Sequence, residues 1–375
     1  MKVTILQHRL MHYRVGFFES LKNNCESVGV SIDLVVGQAT NRESTKKDEG
    51  KLNWVTKIHN SYIELKHVDL LWQWLPYKVF KSDLIVMMQE NRILSNYLVL
   101  LLKPFFGYKT AFWGHGANFQ SKNPKGLKEK FKKIFINRVD YWFAYTELTC
   151  QILKDNGFSE DSISCLNNAI DNEHFEKLIS SVTDEDVLNF KRENNISNDD
   201  EVALFCGSIY EEKRIDLLLK SCEMIKNKKK DFFLIVVGDG PDAGKVKEFA
   251  ETNKWVIFMG AQRGKEKAIA FKSSDIILNP GLVGLHILDS FIAGKPMITL
   301  ASSLHSPELS YLESGFNGLI IDGDYAEYAD SCIKILSDKD SLQIMKNNAL
   351  LSAKKYTLGN MVNNFLNGIL RLKAN

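Results

Sequence analysis

Short apolar runs, each followed by an amphipathic stretch, recur along the whole 375-residue chain. A brief apolar run suits a strand buried on both faces, and the amphipathic stretch after it suits the crossover helix that a parallel connection needs. In the first half the runs predict strands at Lys2–Gln7, Ile32–Val36, Leu84–Met88, Lys109–Trp113 and Tyr141–Ala144. In the second half they predict strands at Val202–Cys206, Phe232–Val237, Val256–Met259, Ile276–Leu278, Met297–Leu300 and Gly318–Ile321. The expected class is α/β, with two doubly wound parallel sheets.

The length supports that division, since 375 residues exceed one comfortable core and fit two domains of roughly 150–200 residues each. A formal charge of +2 makes no case for a nucleic-acid partner. Six cysteines without C-x-x-C spacing suggest neither a zinc site nor a disulfide framework, and a reducing cytoplasm is the expected compartment. Met1 to Leu6 reads as a first strand rather than a signal peptide. The apolar stretch Ile93 to Phe106 is broken by Ser95, Asn96 and Lys103 and falls short of the roughly 20 residues that cross a bilayer. Gly37 to Asn53 is polar and aperiodic, the pattern of a mobile loop.

The chemistry-bearing motifs cluster in the second half. In order they are Phe205-Cys206-Gly207-Ser208, Lys213-Arg214, the turn Gly238-Asp239-Gly240-Pro241, the loop Gly260-Ala261-Gln262-Arg263-Gly264, Asn279-Pro280, and Gly284-Leu285-His286 with Asp289 one turn on. Strand ends, glycine turns, cations and a lone carboxylate suit a nucleotide diphosphate, whose negative charge calls for cations and backbone N–H groups. Lys213 and Arg214 can supply the cations; the alternative is a solvated helix start. Gly284-Leu285-His286 is expected to open a helix whose first N–H groups face the distal phosphate. Gly238 follows a strand as a nucleotide-facing turn does, a weak signal alone. In the first half, His115 stands between Gly114 and Gly116 after a strand, and Arg14 follows the first strand, either toward a phosphate or acceptor or as a surface arginine. His8 and His12 show no metal-ligand pattern.

This ordered series resembles the donor-binding half of the family 4 retaining glycosyltransferases, of the GT-B fold. Tyr13-Arg14-Val15-Gly16-Phe17-Phe18-Glu19, Trp113-Gly114-His115-Gly116-Ala117-Asn118 and Asn167-Asn168-Ala169-Ile170-Asp171 extend the likeness over most of the chain. The resemblance implies two Rossmann-like domains facing an interdomain cleft, with the last helix crossing back to the first. Residues 1–168 with 356–375 would form the acceptor side, and 169–355 the nucleotide-sugar donor side. It further implies a retaining, metal-independent hexosyltransferase without a cofactor. A UDP-sugar would be the donor and a glycan or lipid-linked glycan of a bacterial surface polysaccharide the acceptor.

Residue by residue, the resemblance gives Lys213 and His115 the catalytic places. Gly207, Ser208, Arg214, Gly238, Arg263, Gly284, Leu285, His286 and Asp289 fall on the donor, with Asp289 accepting from ribose hydroxyls. Arg14, Gly16 and Asn118 join His115 on the acceptor or phosphate side. Two departures stand out: Ser208 where relatives often carry arginine, and Gly281 where they carry a glutamate that contacts the donor sugar. These motivate the alternative of a non-catalytic sugar-nucleotide-binding subunit. A second alternative, a sugar-nucleotide 2-epimerase of the same fold, would need acidic residues poised in the cleft, and no such pair is evident in the sequence. No G-x-G-x-x-G follows the first strand, which weighs against an NAD-dependent dehydrogenase. Finally, Lys125 to Arg138 reads as a basic amphipathic helix, which either lies on an anionic membrane at the inner face of the plasma membrane or packs on its own domain.

Overall fold

A computed structural model describes residues 1–40, 43, 49–65, 69–116, 136–301 and 304–374. The chain forms two compact units: Met1–Asp171 together with Thr357–Asn375, and Asn172–Tyr356.

The first unit contributes β1 (Lys2–Gln7), β2 (Ser31–Val36), β3 (Thr56–Lys57), β4 (Asn60–Glu64), β5 (Asp69–Gln73), β6 (Leu84–Met88), β7 (Lys109–Gly114), β8 (Tyr141–Ala144) and β9 (Ile163–Cys165). Seven of them make one sheet in the order β3-β2-β1-β6-β7-β8-β9, and every adjacent pair is parallel. All five strands that the apolar runs predict are present. The additions are the two-residue edge strand β3, the three-residue β9 and the antiparallel hairpin β4–β5, which stands apart from the sheet. The hairpin sequence Asn-Ser-Tyr-Ile-Glu lacks the apolar run that marks a doubly buried strand, so periodicity passes over it.

The helix Leu358–Ala374 belongs to this first unit. Its buried residues Met361, Val362, Phe365, Ile369 and Leu372 recur at helical spacing and form one apolar face. Phe365 stacks on Phe143 with ring centroids 4.0 Å apart and meets Phe17 and Trp113 edge-on. Aromatic contacts of this kind add about 0.5–1.5 kcal/mol each beyond area burial, so the last helix is an integral wall of the unit.

The second unit contributes β10 (Glu201–Cys206), β11 (Phe232–Val237), β12 (Val256–Gly260), β13 (Ile276–Leu278), β14 (Met297–Leu300) and β15 (Gly318–Ile321). Their order is β12-β11-β10-β13-β14-β15, again parallel throughout. All six are the strands that the sequence predicts: β10, β11, β13 and β14 are apolar runs buried nearly throughout, and the edge strands β12 and β15 are apolar runs left half-buried. One core cluster runs from Ala203, Phe205 and Leu234 through Leu218 and Cys222 of the helix Ile215–Lys228 to Tyr328 and Cys332 of the helix Tyr325–Ser337. The fold is thus GT-B, with each unit a Rossmann-like sheet flanked by helices.

Candidate functional site

In a doubly wound sheet the ligand crevice lies beyond the carboxyl ends of the strands where the order reverses. In the second unit that point falls between β10 and β13, which pair directly. The residues leaving those two strands are Cys206-Gly207-Ser208 and Asn279-Pro280-Gly281.

Lys213 ends a short 3-10 turn after β10 and is 4% exposed. Its Nζ donates to the Leu282 carbonyl at 2.6 Å and lies 3.5 Å from Asn279 Oδ1. Burial pulls its ammonium down to about 8, against a smaller upward effect of Cys206. Asn279, itself buried, donates to the carbonyls of Gly281 and Leu282 at 3.1 and 3.2 Å. Lys213 is therefore a desolvated cation held at the switch point, not a solvated lysine at a helix start.

The same loop explains Gly281. A Cβ there would lie 2.2 Å from the Glu212 carbonyl oxygen and 2.4 Å from the Lys213 carbonyl carbon, and the next N–H, of Leu282, donates to Glu212 O at 2.8 Å. The two backbones touch, so no side chain fits at 281. The missing carboxylate is a consequence of this close approach. At Gly284 the nearest atom to an added Cβ is 3.8 Å away, so that position is roomy.

Gly284, Leu285 and His286 precede the helix rather than open it. The helix spans only Ile287–Ile292, and the Gly284 N–H points to the His286 ring, 3.4 Å from Nδ1. This corrects the expectation of a row of free helix-start N–H groups at Gly284: the ring folds back and takes the first of them. What the turn offers is the His286 imidazole. With Nδ1 accepting, Nε2 carries the proton, and this buried Nε2 has no hydrogen-bond partner among the described residues. Burial, then the charges of Lys213 and Lys267, hold His286 well below the usual imidazole range, so it is neutral. A second buried histidine, His305, accepts from the Val283 N–H at 3.1 Å and donates from Nε2 to Leu300 O at 2.7 Å, pinning the loop.

Asp289 is paired rather than free: Lys267 of the helix Gly264–Lys272 reaches its Oδ2 at 2.8 Å. Lys267 also lies over the Phe175 ring at 4.5 Å. Burial would lower the Lys267 ammonium, but Asp289 outweighs it and the net shift is upward. Lys267 and His305 are the residues that sequence reasoning missed, for neither stands in a recognisable motif. Cys206 beside them is a thiol, pushed up to about 12 by burial although Lys267 opposes this.

Of the remaining donor-side candidates Gly207 adjoins the cluster, since a Cβ there would lie 4.0 Å from Lys213 Cε. Ser208 and Arg263 are exposed. Arg214 is also exposed and adopts a left-handed backbone, φ 55°, to turn the chain into the next helix, so it does not share the Lys213 environment. Gly207 and Gly238 are joined through the strand-end ladder, Gly207 N–H to Val237 O and Gly238 N–H to Gly260 O. Leu285 is half-buried in the turn before the helix.

In the first unit Arg14 is neither a surface arginine nor an open phosphate ligand. It is buried, donates to Asn168 Oδ1 at 2.6 Å and Ala169 O at 3.3 Å, and lies over the rings of Tyr13, Trp113 and Tyr145. Its work is to hold the segment 168–169. Gly16 packs beside Leu358, and His115 follows β7 with its ring 4.3 Å from that of Tyr145. Asn118 and nearly all of the basic segment 125–138 lie outside the described residues, as does much of the loop 37–53. At this unit's own switch point, between β1 and β6, buried His8 and Arg9 meet Glu43, Glu90 and Arg92. A hydrogen bond from His8 holds the Glu43 carboxyl well below the usual carboxylate range, against its burial.

Two parallel doubly wound units, the second with a buried lysine at its switch point, define a GT-B protein. Residues 186–351, which lie in this second unit, match the family described as glycosyl transferases group 1. Among curated proteins it is similar to the alpha-monoglucosyldiacylglycerol synthase of Acholeplasma laidlawii, 28% identical over 184 residues, 47% of this chain and 45% of that one. The chain spans about half the length of the curated relatives it matches. Among solved structures it is similar to Anabaena HepE in complex with UDP, with a TM-score of 0.67, 14% identity and coverage of 99% and 100%. A putative UDP-N-acetylglucosamine 2-epimerase from Listeria monocytogenes aligns with a TM-score of 0.60 and 12% identity, covering 98% of this chain and 95% of that one. At such identities the structural likeness fixes the fold alone.

Proposed function

We propose that this chain is a retaining, metal-independent glycosyltransferase that moves a hexose from a UDP-sugar to a glycan or lipid-linked glycan acceptor. The observation that carries this reading is the triad at the second unit's switch point: the desolvated Lys213 ammonium, Asn279, and the unpartnered Nε2–H of His286. A buried cation beside a buried neutral donor is a place for phosphate oxygens, which would satisfy both. Asp289, fixed by Lys267, keeps lone pairs for ribose hydroxyls.

In the proposed reaction the acceptor hydroxyl attacks the anomeric carbon from the face that the nucleotide leaves, and the departing diphosphate takes the hydroxyl proton. Lys213 stabilises the charge that grows on the diphosphate, and no protein nucleophile is required. His115 is proposed on the acceptor side, while Arg14 acts by holding residues 168–169. The matched synthase, whose name gives an α-glucosyl lipid as its product, supports a lipid-borne acceptor. Peripheral attachment to an anionic membrane through the basic segment 125–138, and a role in bacterial surface polysaccharide synthesis, are part of the same proposal. No helix among the described residues is long and apolar enough to cross a membrane.

The test is to incubate the protein with individual UDP-sugars and lipid-linked acceptors and to assign the new anomeric centre by NMR. Product with the donor's anomeric configuration supports the proposal. An inverted product refutes retention, and donor epimerised at C2 without transfer favours the 2-epimerase reading. Binding of UDP with neither transfer nor hydrolysis favours a non-catalytic subunit.

A further inference from the structure

The first unit carries a side-chain cluster that the donor chemistry does not use. Glu147 and Cys150 lie one turn apart in the helix Glu147–Asp155, and Cys165 ends β9 beside it. Their ligand atoms, a carboxylate oxygen and two Sγ, all lie within 4.8 Å of one another. Glu147 is exposed, Cys165 half-buried and Cys150 buried, so the cluster opens to solvent on its carboxylate side. Behind the sulfurs, Asn167 Oδ1 accepts from Cys165 Sγ at 3.3 Å. Asn167 has a left-handed backbone, φ 54°, which asparagine adopts more readily than most residues.

We propose that Glu147, Cys150 and Cys165 bind a thiophilic divalent cation of the Zn²⁺ type, with water in the fourth position and Asn167 as an outer hydrogen-bond partner. The geometry needs little adjustment. Zn–S bonds of about 2.3 Å and tetrahedral angles put two sulfurs about 3.8 Å apart, so the present spacing closes by an ångström or less. Two soft sulfurs with one carboxylate favour zinc over magnesium or calcium, which prefer all-oxygen shells. On binding, each thiol loses its proton to solvent as its metal–sulfur bond forms, and no electrons are transferred. The donor-binding part of the glycosyl-transfer reading does not use this site, because Lys213 and His286 belong to the other unit.

The experiment uses the full chain, reduced and freed of metal, titrated with Co²⁺ and then competed with Zn²⁺. One Co²⁺ per chain, a thiolate-to-cobalt charge-transfer band, tetrahedral d–d absorption and Zn²⁺ displacement with Kd below roughly 1 µM are expected. Cys150→Ser or Cys165→Ser should abolish the band. Glu147→Gln should weaken binding by about tenfold or more, by analogy with the loss that even outer-shell changes cause. In the wild-type chain, Zn²⁺ should protect Cys165 from alkylation by iodoacetamide, a readout independent of how the variants fold. Absence of a stoichiometric band, a band that survives both serine variants, or unprotected Cys165 overturns the proposal. So does conversion to a Cys150–Cys165 disulfide in air without any metal retained.

Discussion

Replacing Gly281 by alanine adds one methyl group where Glu212 O and the Lys213 carbonyl carbon and Cα stand 2.2, 2.4 and 2.6 Å from the new atom. Side-chain carbons do not approach backbone this closely, and neither backbone is the loose end of a flexible chain. The loop 281–282 must therefore move, stretching the bond from the Leu282 N–H to Glu212 O and the bond from Lys213 Nζ to Leu282 O, 2.8 and 2.6 Å long. Overpacking of this kind costs about 1–3 kcal/mol. For a unit of this size each kcal/mol lowers the melting temperature by about 2–4 °C, which predicts a fall of roughly 2–12 °C. Gly284→Ala is the internal control, since its new methyl group would meet nothing nearer than 3.8 Å and should leave the melting temperature within about 2 °C. Differential scanning calorimetry reads both variants. UDP binding, followed by isothermal titration, should weaken in Gly281→Ala because Lys213 is displaced. A Gly281→Ala protein that melts within about 1 °C of wild type and binds UDP normally would refute the steric account. The position would then be a mere substitution of glycine for glutamate.

Lys213→Ala should lower turnover by on the order of 10²-fold or more, as loss of a donor to developing charge does, and near-normal turnover refutes its role. The pH dependence follows from the same burial. The folded ammonium is depressed from 10.5 to about 8, and an anion that binds only the charged form loses affinity as pH rises through that value. UDP affinity should therefore fall by up to about tenfold per pH unit above 8, and a flat profile from pH 7 to about 9.5 contradicts it. The stability term has the opposite sense: the unfolded chain binds the extra proton between about 8 and 10.5, so Lys213's contribution to stability rises with pH across that window. Asp289→Asn should weaken UDP and UDP-sugar alike and destabilise by about 1–3 kcal/mol, because it leaves Lys267 without its partner. Adding Lys267→Met should recover part of that stability, and a double variant no more stable than Asp289→Asn argues against the pair. Transfer should survive excess chelator over an assay; activity lost to chelator and restored by magnesium or manganese would contradict a metal-independent step.

The sequence by itself determined the class of this protein. A parallel strand buried on both faces must be a short apolar run, so all eleven such runs read from the sequence are strands in the structure. The two- and three-residue strands β3 and β9 are too short to carry such a mark and the part-exposed hairpin β4–β5 lacks it, so these four went unread. The order of glycine turns and cations also pointed to the second unit, and the Lys213 cluster does lie at that unit's switch point.

Tertiary structure alone decided what each residue there can do. Gly281 reads in sequence as an absent carboxylate, whereas contact between two backbones leaves it no room for any side chain. Asp289 reads as a free acceptor, yet Lys267, 22 residues earlier, already holds it. Arg14 reads as a phosphate or acceptor contact or as a surface charge, yet the fold closes aromatic rings and residues 168–169 around it. Cys150 and Cys165, which match no ligand spacing, become neighbours because a helix and the next parallel strand return to the same edge of the sheet. The physical reason is common to all four. A strand's pattern is written by burial along its own length, whereas a site is written by distances between segments that only the packed chain brings together.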